Sequence, residues 1–470
     1  MKAVAAVDLG ATSGRVMLGY VGHNELRLVP VSRFPNGPVA IDGALHWNVS
    51  GLFEHAVSGI AAAAKQEPEL AGVGIDSWAV DYGLLSAGTL HGEPFHYRDE
   101  RTANGVALVH AKVSAEDLYK ANGLQHLDFN TLFQLADDLE AGRLASADTF
   151  LLVPDLLGFW LTGKQFAERT NASTTGLLSP HSGEWDDALI AKLGLPRDIF
   201  RELIDAGSPV GPILPAIADR IGIAGLEVSA VGSHDTASAV AAVPAADADF
   251  AYISCGTWGL VGVELDAPII SDAGRLANFT NEGGLDGRVR YLHNVMGLWL
   301  LSESVRTWEA QGSVISLLDL LAAASAVSTP VAVFDANDAR FSSPGDMPAR
   351  IAEWCREHDA PVPHTQAEFV RSIIESLADA FAKAVEKASE LSGKNVNVIH
   401  IVGGGSQNEL LCQLVADRSG LRVQAGPVEA TAIGNVLVQA RAQGFVSGSL
   451  EAMRSIVAAA FEPKTYLPLR

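Results

Sequence analysis

One short stretch near the middle of the chain carries side chains suited to acid–base chemistry. It reads Gly232-Ser-His-Asp-Thr-Ala237 and follows an apolar run that ends at Val231. A carboxylate delivered by the end of a strand lies at the edge where α/β folds place their ligands, so Asp235 is a candidate catalytic residue. The simpler interpretation is that Asp235 caps the helix that follows, because Asp is preferred at helix N-caps. This stretch alone favours the cap.

A second candidate site lies in the first twenty residues, which read as a strand, a tip of small residues and a second strand. The small residues 11–13 stand between Gly10 and Gly14, so no bulky side chain covers the backbone N–H groups of the tip. Such a tip can wrap an anion. Asp8 ends the first strand and could hold a divalent cation directly or through water, because hard cations prefer carboxylate oxygen. An ordinary polar hairpin explains this segment equally well.

Residues 250–264 repeat the pattern of strand, small tip and strand, with Gly256 and Thr257 in the tip. Two such hairpins, just over half the chain apart, indicate two related domains that face each other and hold the ligand between them. The Pro-, Ala- and Asp-containing segment 244–249 is the expected linker. The sequence therefore predicts domains at 1–244 and 245–470.

Residues 71–85 alternate like a single strand and carry Trp78 between two carboxylates. Aromatic rings and paired Asp and Arg groups suit a site that binds a polyhydroxylated molecule. For the Arg-Asp-Glu-Arg run at 98–101, surface ion pairs around a core Trp are the better interpretation.

Two glycine-containing segments are candidates for a nucleotide site. Residues 396–402 read as a buried strand, and Gly403, Gly404 and Gly405 form a turn that would let an adenine or ribose approach the backbone. Residues 158–165 have P-loop spacing but end in Gln instead of Ser or Thr. We interpret that segment as the end of a helix that begins near Pro154 and stops at Gly163.

The remaining long apolar segments are predicted to be helices. Thr365 and Glu368 form a capping box for an amphipathic helix that Gly393 ends. Residues 291–301 read as a buried helix, with Asn294 near its start and able to point its amide at a ligand.

Composition limits the function classes. The 55 acidic and 33 basic residues give a net charge of −22, which disfavours nucleic acid and anionic membranes as partners. The three scattered cysteines favour a reducing cytoplasm over a disulfide framework. We expect neither a signal peptide nor a membrane-spanning segment.

Together these segments resemble the FGGY carbohydrate kinases of the actin-like ATPase superfamily. The resemblance extends over nearly the whole chain, from Val7 to the helix containing Gly434. Its most specific motifs are Asp8-Leu-Gly-Ala-Thr-Ser-Gly-Arg15, Gly232-Ser-His-Asp-Thr-Ala237, Asn278-Phe-Thr-Asn-Glu-Gly-Gly284, Asn294-Val-Met-Gly-Leu-Trp299 and Gly403-Gly-Gly-Ser-Gln-Asn408.

The resemblance implies an α/β fold of two actin-like, ribonuclease H-like domains that face a central catalytic cleft, with ATP and Mg²⁺ as cofactors. Asp235 resembles the catalytic base, and Asp8 the residue that holds the metal, through water. The positions that resemble ATP-binding residues are Ala11, Thr12, Ser13, Gly14, Arg15, Thr257 and Gly404. The positions that resemble sugar-binding residues are Ala79, Gly83, His234, Asp235, Thr236 and Asn294.

The activity that the resemblance implies is phosphorylation of L-rhamnulose to L-rhamnulose 1-phosphate. The alternatives are a related ketose, L-fuculose or D-xylulose, or a sugar sensor without catalysis on the same fold. A sensor should have lost the base or a phosphate loop, whereas Asp8, Asp235 and both hairpins are intact. The expected partners are the sugar and ATP, in a monomer or small homo-oligomer.

Overall fold

The computed structural model describes residues 1–22 and 25–469, which form two compact units. The first unit comprises Met1–Ala246, Glu264–Tyr291 and Ala430–Phe461, and the second comprises the other described residues. Two segments from the second half of the chain thus fold with the first half. The assignment of functional domains to 1–244 and 245–470 stays a prediction.

The elements up to residue 246 begin with five strands, and helices and further strands follow them. The strands are β1 Lys2–Leu9, β2 Ser13–Gly22, β3 Glu25–Pro35, β4 Pro38–Ile41, β5 Ala44–Trp47, β6 Gly72–Ser77, β7 Tyr82–Ser86, β8 Thr89–Leu90, β9 Thr149–Leu152, β10 Ala167–Glu168, β11 Leu203–Ile204, β12 Pro209–Pro212 and β13 Glu227–Ser229. The helices are α1 Val49–Gln66, α2 Thr102–His110, α3 Ala115–Asn122, α4 Thr131–Glu140, α5 Val153–Thr162, α6 Arg169–Ala172, α7 Asp187–Leu193, α8 Pro215–Ile221 and α9 Asp235–Ala241.

The elements after residue 246 include the longest helix, α14. The strands are β14 Phe250–Cys255, β15 Trp258–Leu265, β16 Thr280–Gly283, β17 Val289–Met296, β18 Val398–Val402, β19 Arg422–Ala425 and β20 Lys464–Tyr466. The helices are α10 Asp272–Leu276, α11 Trp299–Ala310, α12 Leu317–Ser325, α13 Met347–Glu357, α14 Gln366–Ser392, α15 Glu409–Ser419, α16 Ala430–Ala442 and α17 Leu450–Ala460.

A six-stranded sheet in the order β12-β13-β6-β1-β2-β3 forms the centre of the first unit. β1 pairs with β2 as the expected hairpin, and it runs parallel to β6, which runs parallel to β13. Helix α16 packs against α9 so closely that a Cβ at Gly434 would overlap the carbonyl oxygen of Ser238. The glycine therefore fixes the distance between α16 and the helix that begins with Asp235.

The second unit contains the second predicted hairpin. β14 is antiparallel to β15 and parallel to β18, and β18 is parallel to β19. Helix α14 has the predicted capping box at Thr365, and Gly393 ends it in the left-handed conformation, with φ 69°. The predicted start and end of this helix are both confirmed.

The segment with P-loop spacing, residues 158–165, contains the end of a helix in the first unit, as predicted. Helix α5 contains Pro154 in its first turn, and Gly163 terminates it with φ 74°.

The prediction of a helix over residues 291–301 is wrong. The segment is the second half of β17, a break at Gly297, and the start of α11. A Cβ at Gly297 would lie 2.7 Å from the backbone nitrogen of Gly259, so a glycine is required where the chain turns. Periodicity does not separate a short buried strand from a buried helix, and the apolar run hid the junction.

The single strand predicted over residues 71–85 is also wrong. β6 and β7 belong to different sheets, and Val80 between them has a φ of 68°. The interpretation of residues 98–101 as surface ion pairs is wrong as well. The Arg101 side chain is only 10% exposed and pairs with Asp138 at 2.7 Å.

Among the residues that the structure describes, no helix combines the length and the apolar character needed to span a bilayer.

Candidate active site

Three parallel segments end side by side in the first unit and bring three carboxylates to one edge of the sheet. In the register of β1 and β6, Asp8 lies beside Asp76. The chain beyond β13 continues parallel to β6, since the N–H of Ser77 donates to the carbonyl oxygen of Ser233 at 2.9 Å. Asp235 follows two residues later. The carboxyl ends of parallel strands are where α/β folds bind ligands, so this edge is the candidate site.

Asp235 is the first residue of α9, and His234 occupies the N-cap position, so the helix-cap interpretation is wrong. The Asp235 side chain is 31% exposed, whereas that of His234 is 6% exposed. Its Oδ1 accepts from the Thr236 hydroxyl at 3.0 Å and lies 3.4 Å from His234 Nε2. Burial raises the pKa of Asp235 above its usual range, and the Asp8 charge adds to the rise while His234 opposes it. The group combines access for a ligand with increased basicity.

Asp76 is fully buried, and its hydrogen-bond partner could not be predicted from the sequence. Asn435 in α16, 359 residues away in sequence, donates to Asp76 Oδ2 at 2.5 Å. Asp76 Oδ1 is buried and accepts no hydrogen bond from the described residues. Burial raises the pKa of Asp76 well above its usual range, with the Asp8 charge adding to the effect. A cation beside this oxygen would offset the cost of burying the ionised carboxylate.

Magnesium fits this pair of carboxylates only with help from a ligand. Within residues 1–22 and 25–469, no three His, Cys, Asp or Glu side chains come together as a metal site. Asp8 also forms an ion pair with Arg15 Nε at 2.9 Å. Mg²⁺ is usually held by one or two carboxylates together with waters and phosphate oxygens, and Asp8 with the unpaired Asp76 oxygen meets that requirement.

The tip of the first hairpin is held from one side. Asn36 donates its backbone N–H to the carbonyl oxygen of Thr12 at 3.1 Å and its side-chain amide to that of Gly10 at 2.8 Å. A Cβ at Gly14 would overlap the ring of Phe34. Ala11, Thr12, Ser13 and Arg15 all retain exposed surface. The tip is thus rigid and open, as an anion site requires.

In the second unit, the tip of the β14–β15 hairpin supports the start of α11. The carbonyl oxygens of Gly256 and Thr257 accept from the N–H groups of Leu298 and Trp299 at 3.0 and 3.1 Å. The Thr257 side chain remains half-buried at the surface.

The three glycines at 403–405 differ in their surroundings. Gly403 has a φ of 83°, and a Cβ at Gly405 would overlap the Cys255 sulfur. Gly404 has an ordinary φ, is exposed, and has no atom within 4 Å of where a Cβ would lie. Backbone geometry and packing explain the first and third glycines, whereas the open space at Gly404 leaves room for a ligand.

The predicted sugar-binding positions outside the Asp235 motif fall in different surroundings. Ala79 is partly exposed, whereas the other residues of 72–83 are buried. A Cβ at Gly83 would press on Leu90 and Leu156, so packing accounts for that glycine. Asn294 is half-buried in β17, in the second unit. Sugar contact at these positions stays a prediction.

Sequence reasoning missed a buried carboxylate that fixes the chain before His234. Glu168 is fully buried and accepts from the backbone N–H and the hydroxyl of Ser233, at 3.1 and 2.8 Å, and from the backbone N–H of Thr170 at 3.0 Å. Burial raises the pKa of Glu168 despite these donors. Nothing in the sequence around Glu168 indicates this contact.

The asparagines of the 278–284 motif have a structural role. Asn278 accepts from the backbone N–H of His126 at 2.8 Å, and Asn281 donates to the carbonyl oxygen of Gly123 at 3.0 Å. They tie β16 to the loop after α3. Glu282, between them and the glycines, lies 3.4 Å from His234 Nδ1 and is part of the site.

Two family models match the chain. The N-terminal domain of the FGGY family of carbohydrate kinases matches residues 3–242, and the C-terminal domain of the same family matches residues 251–443.

Curated relatives match almost end to end. A rhamnulokinase from Bacteroides thetaiotaomicron is 38% identical over 98% of this chain and 95% of its own length. A rhamnulokinase from Pectobacterium carotovorum is 40% identical over 100% of this chain and 93% of its own length.

Solved structures share the fold at low identity. The xylulose kinase of Lactobacillus acidophilus has a TM-score of 0.78 at 17% identity, and it covers 100% of this chain and 94% of that one. The glycerol kinase of Plasmodium falciparum with ADP has a TM-score of 0.78 at 14% identity, with the same coverage. The expected α/β fold with two FGGY domains is confirmed.

Proposed function

We propose that this chain, which belongs to the FGGY family of carbohydrate kinases, transfers a phosphoryl group from ATP to L-rhamnulose and forms L-rhamnulose 1-phosphate. The chain is a carbohydrate kinase, and kinases of this family use ATP with Mg²⁺. The observation that carries the proposal is the partly exposed Asp235, with its raised pKa, at the edge that Asp8 and Asp76 share. The choice of sugar is supported by the curated relatives named rhamnulokinase.

Asp235 is the general base in this proposal. Phosphoryl transfer needs mainly positioning, charge stabilisation and a group that orients and deprotonates the attacking hydroxyl. The sugar hydroxyl donates to the carboxylate, which accepts the proton late, once bond formation to phosphorus has made the hydroxyl acidic. Thr236 and His234 hold the carboxylate in place through Oδ1.

The residues that hold phosphate and metal lie at the same edge. Asp8 and Asp76 would hold Mg²⁺, which would supply positive charge against the negative charge that develops on the transferred phosphoryl group. Asp76 offers its free carboxylate oxygen, and Asp8 contributes through water. The N–H groups of residues 11–14 and the Arg15 guanidinium bind phosphate oxygens as fixed donors.

The second unit supplies nucleotide contacts in this proposal. Open space at Gly404 admits the adenine or ribose, and Thr257 contacts a phosphate. Residues 1–244 would thus serve the sugar, the base and the first phosphate loop, and residues 245–470 the nucleotide.

A panel of ketoses with ATP and Mg²⁺ tests the substrate. We expect the highest kcat/KM with L-rhamnulose, and phosphorus NMR of the product should show a phosphate ester at C1. A higher kcat/KM with L-fuculose or D-xylulose would assign the enzyme to a sister activity. Sugar binding without phosphorylation of any ketose would support the non-catalytic sensor instead.

The proposed enzyme acts in the cytoplasm as a monomer or small homo-oligomer, with the sugar and ATP as its partners. Cys255, Cys355 and Cys412 are free and buried, which suits a reducing compartment. The net charge of −22 supports the absence of nucleic acid and anionic membrane as partners.

A further inference from the structure

A buried cluster of three side chains lies behind Asp235. His234, Glu282 and Arg290 have side-chain exposures of 6%, 7% and 0%. Arg290 Nη2 lies 3.1 Å from His234 Nδ1, and Arg290 Nη1 lies 3.1 Å from Glu282 Oε2. Arg290 Nε donates to the carbonyl oxygen of Gly283 at 2.9 Å. The guanidinium is thereby held on three sides, with one nitrogen directed at the imidazole.

These distances decide which ring nitrogen of His234 carries the proton. A guanidinium only donates hydrogen bonds, so the imidazole nitrogen 3.1 Å from Arg290 must accept. If Nδ1 carried the proton, its N–H group would face an N–H group of Arg290, and two donors would oppose each other. The approach of Glu282 Oε2 to Nδ1 is longer, at 3.4 Å, and no described residue, His234 included, donates a hydrogen bond to that oxygen. The neutral ring therefore carries its proton on Nε2.

The protonated Nε2 faces the candidate base. It lies 3.4 Å from Asp235 Oδ1, which also accepts from the Thr236 hydroxyl at 3.0 Å. Nε2 and the Thr236 hydroxyl thus both lie beside the same carboxylate oxygen. This arrangement fixes the plane of the carboxylate and favours Oδ2 as the atom that accepts the sugar proton.

We propose that Arg290 is a positioning residue, which holds His234 as the neutral Nε2–H tautomer so that His234 orients Asp235 for phosphoryl transfer. Glu282 balances the charge of the Arg290 guanidinium. Burial alone would raise the pKa of Glu282, but the adjacent Arg290 guanidinium holds it below its usual value, so Glu282 is ionised. The effect on rate rests on the proposed function of Asp235, whereas the tautomer of His234 does not.

The tautomer can be measured directly on the intact protein. Nitrogen-15 NMR of histidine-labelled protein distinguishes a protonated from an unprotonated ring nitrogen, and His234→Gln identifies the signals of His234 among the 13 histidines. We expect an unprotonated Nδ1 and a protonated Nε2 at the pH of the assay. A protonated Nδ1, alone or in an imidazolium, would overturn the proposal.

The kinetic test removes the ion pair as a whole, because truncating one partner would leave the other charge buried and unpaired. In Glu282→Met with Arg290→Met, we expect kcat to fall by about 10- to 100-fold, the range typical of lost supporting contacts. The KM for ATP should stay unchanged, and the His234 signals should report a mixture of tautomers.

A matched control exists in the same unit. Arg454 and Glu264 form another buried pair, at 2.9 Å, with side-chain exposures of 3% and 6%. Glu264→Met with Arg454→Met should keep both kcat and the His234 tautomer. Wild-type kcat and an unchanged tautomer in the Glu282/Arg290 variant would refute the role of Arg290. Failure of Asp235 as the base would appear separately, as full activity in Asp235→Asn.

Discussion

A group of stacked aromatic rings supports the turn that carries Ala79. The ring of Trp47 lies 4.0 Å from that of Trp78 and 3.9 Å from that of His96, measured between centroids. Asp81 Oδ2 accepts from the indole nitrogens of Trp47 and Trp78 at 2.5 and 3.0 Å. Burial raises the pKa of Asp81 to about 6, with the hydrogen bonds opposing the rise. The rings are therefore fixed, and Trp78 supports the backbone beside Ala79.

His96 in this group makes stability depend on pH. Burial, with Arg98 adding to it, lowers the pKa of His96 to about 3. Below about pH 6.5 the unfolded chain binds a proton that the folded chain does not, so stability falls as pH falls. His96→Phe keeps a ring on Trp47 and removes this proton. We expect its free energy of unfolding to fall less steeply than that of the wild type, by about 1.4 kcal/mol per pH unit.

Urea unfolding between neutral pH and about pH 4.5, within the range where histidine titrates in unfolded chains, measures this difference. His181→Phe, at an exposed histidine, controls for the substitution itself. Parallel pH curves for wild type and His96→Phe would show that His96 is protonated in the folded protein as readily as in the unfolded chain.

Single residues were predictable where a local motif carries the chemistry. Asp235 and Gly404 were found because each follows an apolar strand and precedes a helix. The distant hydrogen-bond partners of the residues around this site were not predictable. Asn435 reaches Asp76 across 359 positions, and Arg290 reaches His234 across 56. Only the fold brings such pairs together.

At the scale of elements, the turn between β6 and β7 is strained. Val80 is buried and has a φ of 68°, and its carbonyl oxygen accepts from the Thr131 hydroxyl at 2.7 Å. A left-handed conformation costs a residue with a side chain about 1–2 kcal/mol. The surrounding contacts impose this cost directly beside Ala79, and strain of this kind is common at ligand sites.

Because of this strain, we expect glycine to destabilise the protein less than alanine at position 80, which is the reverse of the usual order in a strand. Glycine in a strand costs about 0.5–1 kcal/mol more than alanine, but only glycine is free of the left-handed penalty. We expect Val80→Gly to be less destabilising than Val80→Ala, by about 1 kcal/mol. Val16, buried in β2, is the matched control, and there glycine should be the worse substitution. Thermal unfolding of the four variants decides the matter, and the same order at both positions would disprove the strain.

The turn after β18 offers a test of the nucleotide contact. Gly404→Ala meets no atom within 4 Å, so folding stability should be unchanged. If adenine or ribose lies against this backbone, the methyl group blocks it. We expect the KM for ATP to rise by about tenfold, which corresponds to about 1.4 kcal/mol, while the KM for the ketose stays the same.

Gly37→Ala is the control for the glycine turn, because it too meets no atom within 4 Å. Steady-state kinetics with ATP as the varied substrate should show a wild-type KM for Gly37→Ala. An unchanged KM for ATP in Gly404→Ala would remove Gly404 from the nucleotide site.

Elements with strong end signals were predicted correctly, and elements without them were not. The capping box at Thr365 and the glycine at 393 defined α14, and small tips defined both hairpins. Residues 291–301 have no such signal, so the junction of β17 and α11 was missed. The break between β6 and β7 was not predicted, because it lies at Val80 and a β-branched residue rarely adopts a left-handed conformation.

At the scale of the whole molecule, the chain is a carbohydrate kinase with a large net negative charge, so the binding of anionic ATP depends on local groups. A net charge of −22 repels an anion at long range. The hairpin tip at 11–14, Arg15 and a bound cation are what overcome that repulsion in the proposed site. The two-domain fold was predictable from the resemblance. The return of residues 430–461 to the first unit was not, because it depends on how α16 packs against α9 and β1.

The central claim, that Asp235 is the base of an ATP-dependent sugar kinase, is tested most directly by the kcat of Asp235→Asn with L-rhamnulose and ATP. Asp186→Asn is the control, because Asp186 also stands at the start of a helix, where its side chain accepts from the N–H of Leu189. We predict that Asp235→Asn folds normally by circular dichroism and loses at least about 100-fold in kcat, while Asp186→Asn keeps its activity. A kcat for Asp235→Asn within a few-fold of the wild type would contradict the account.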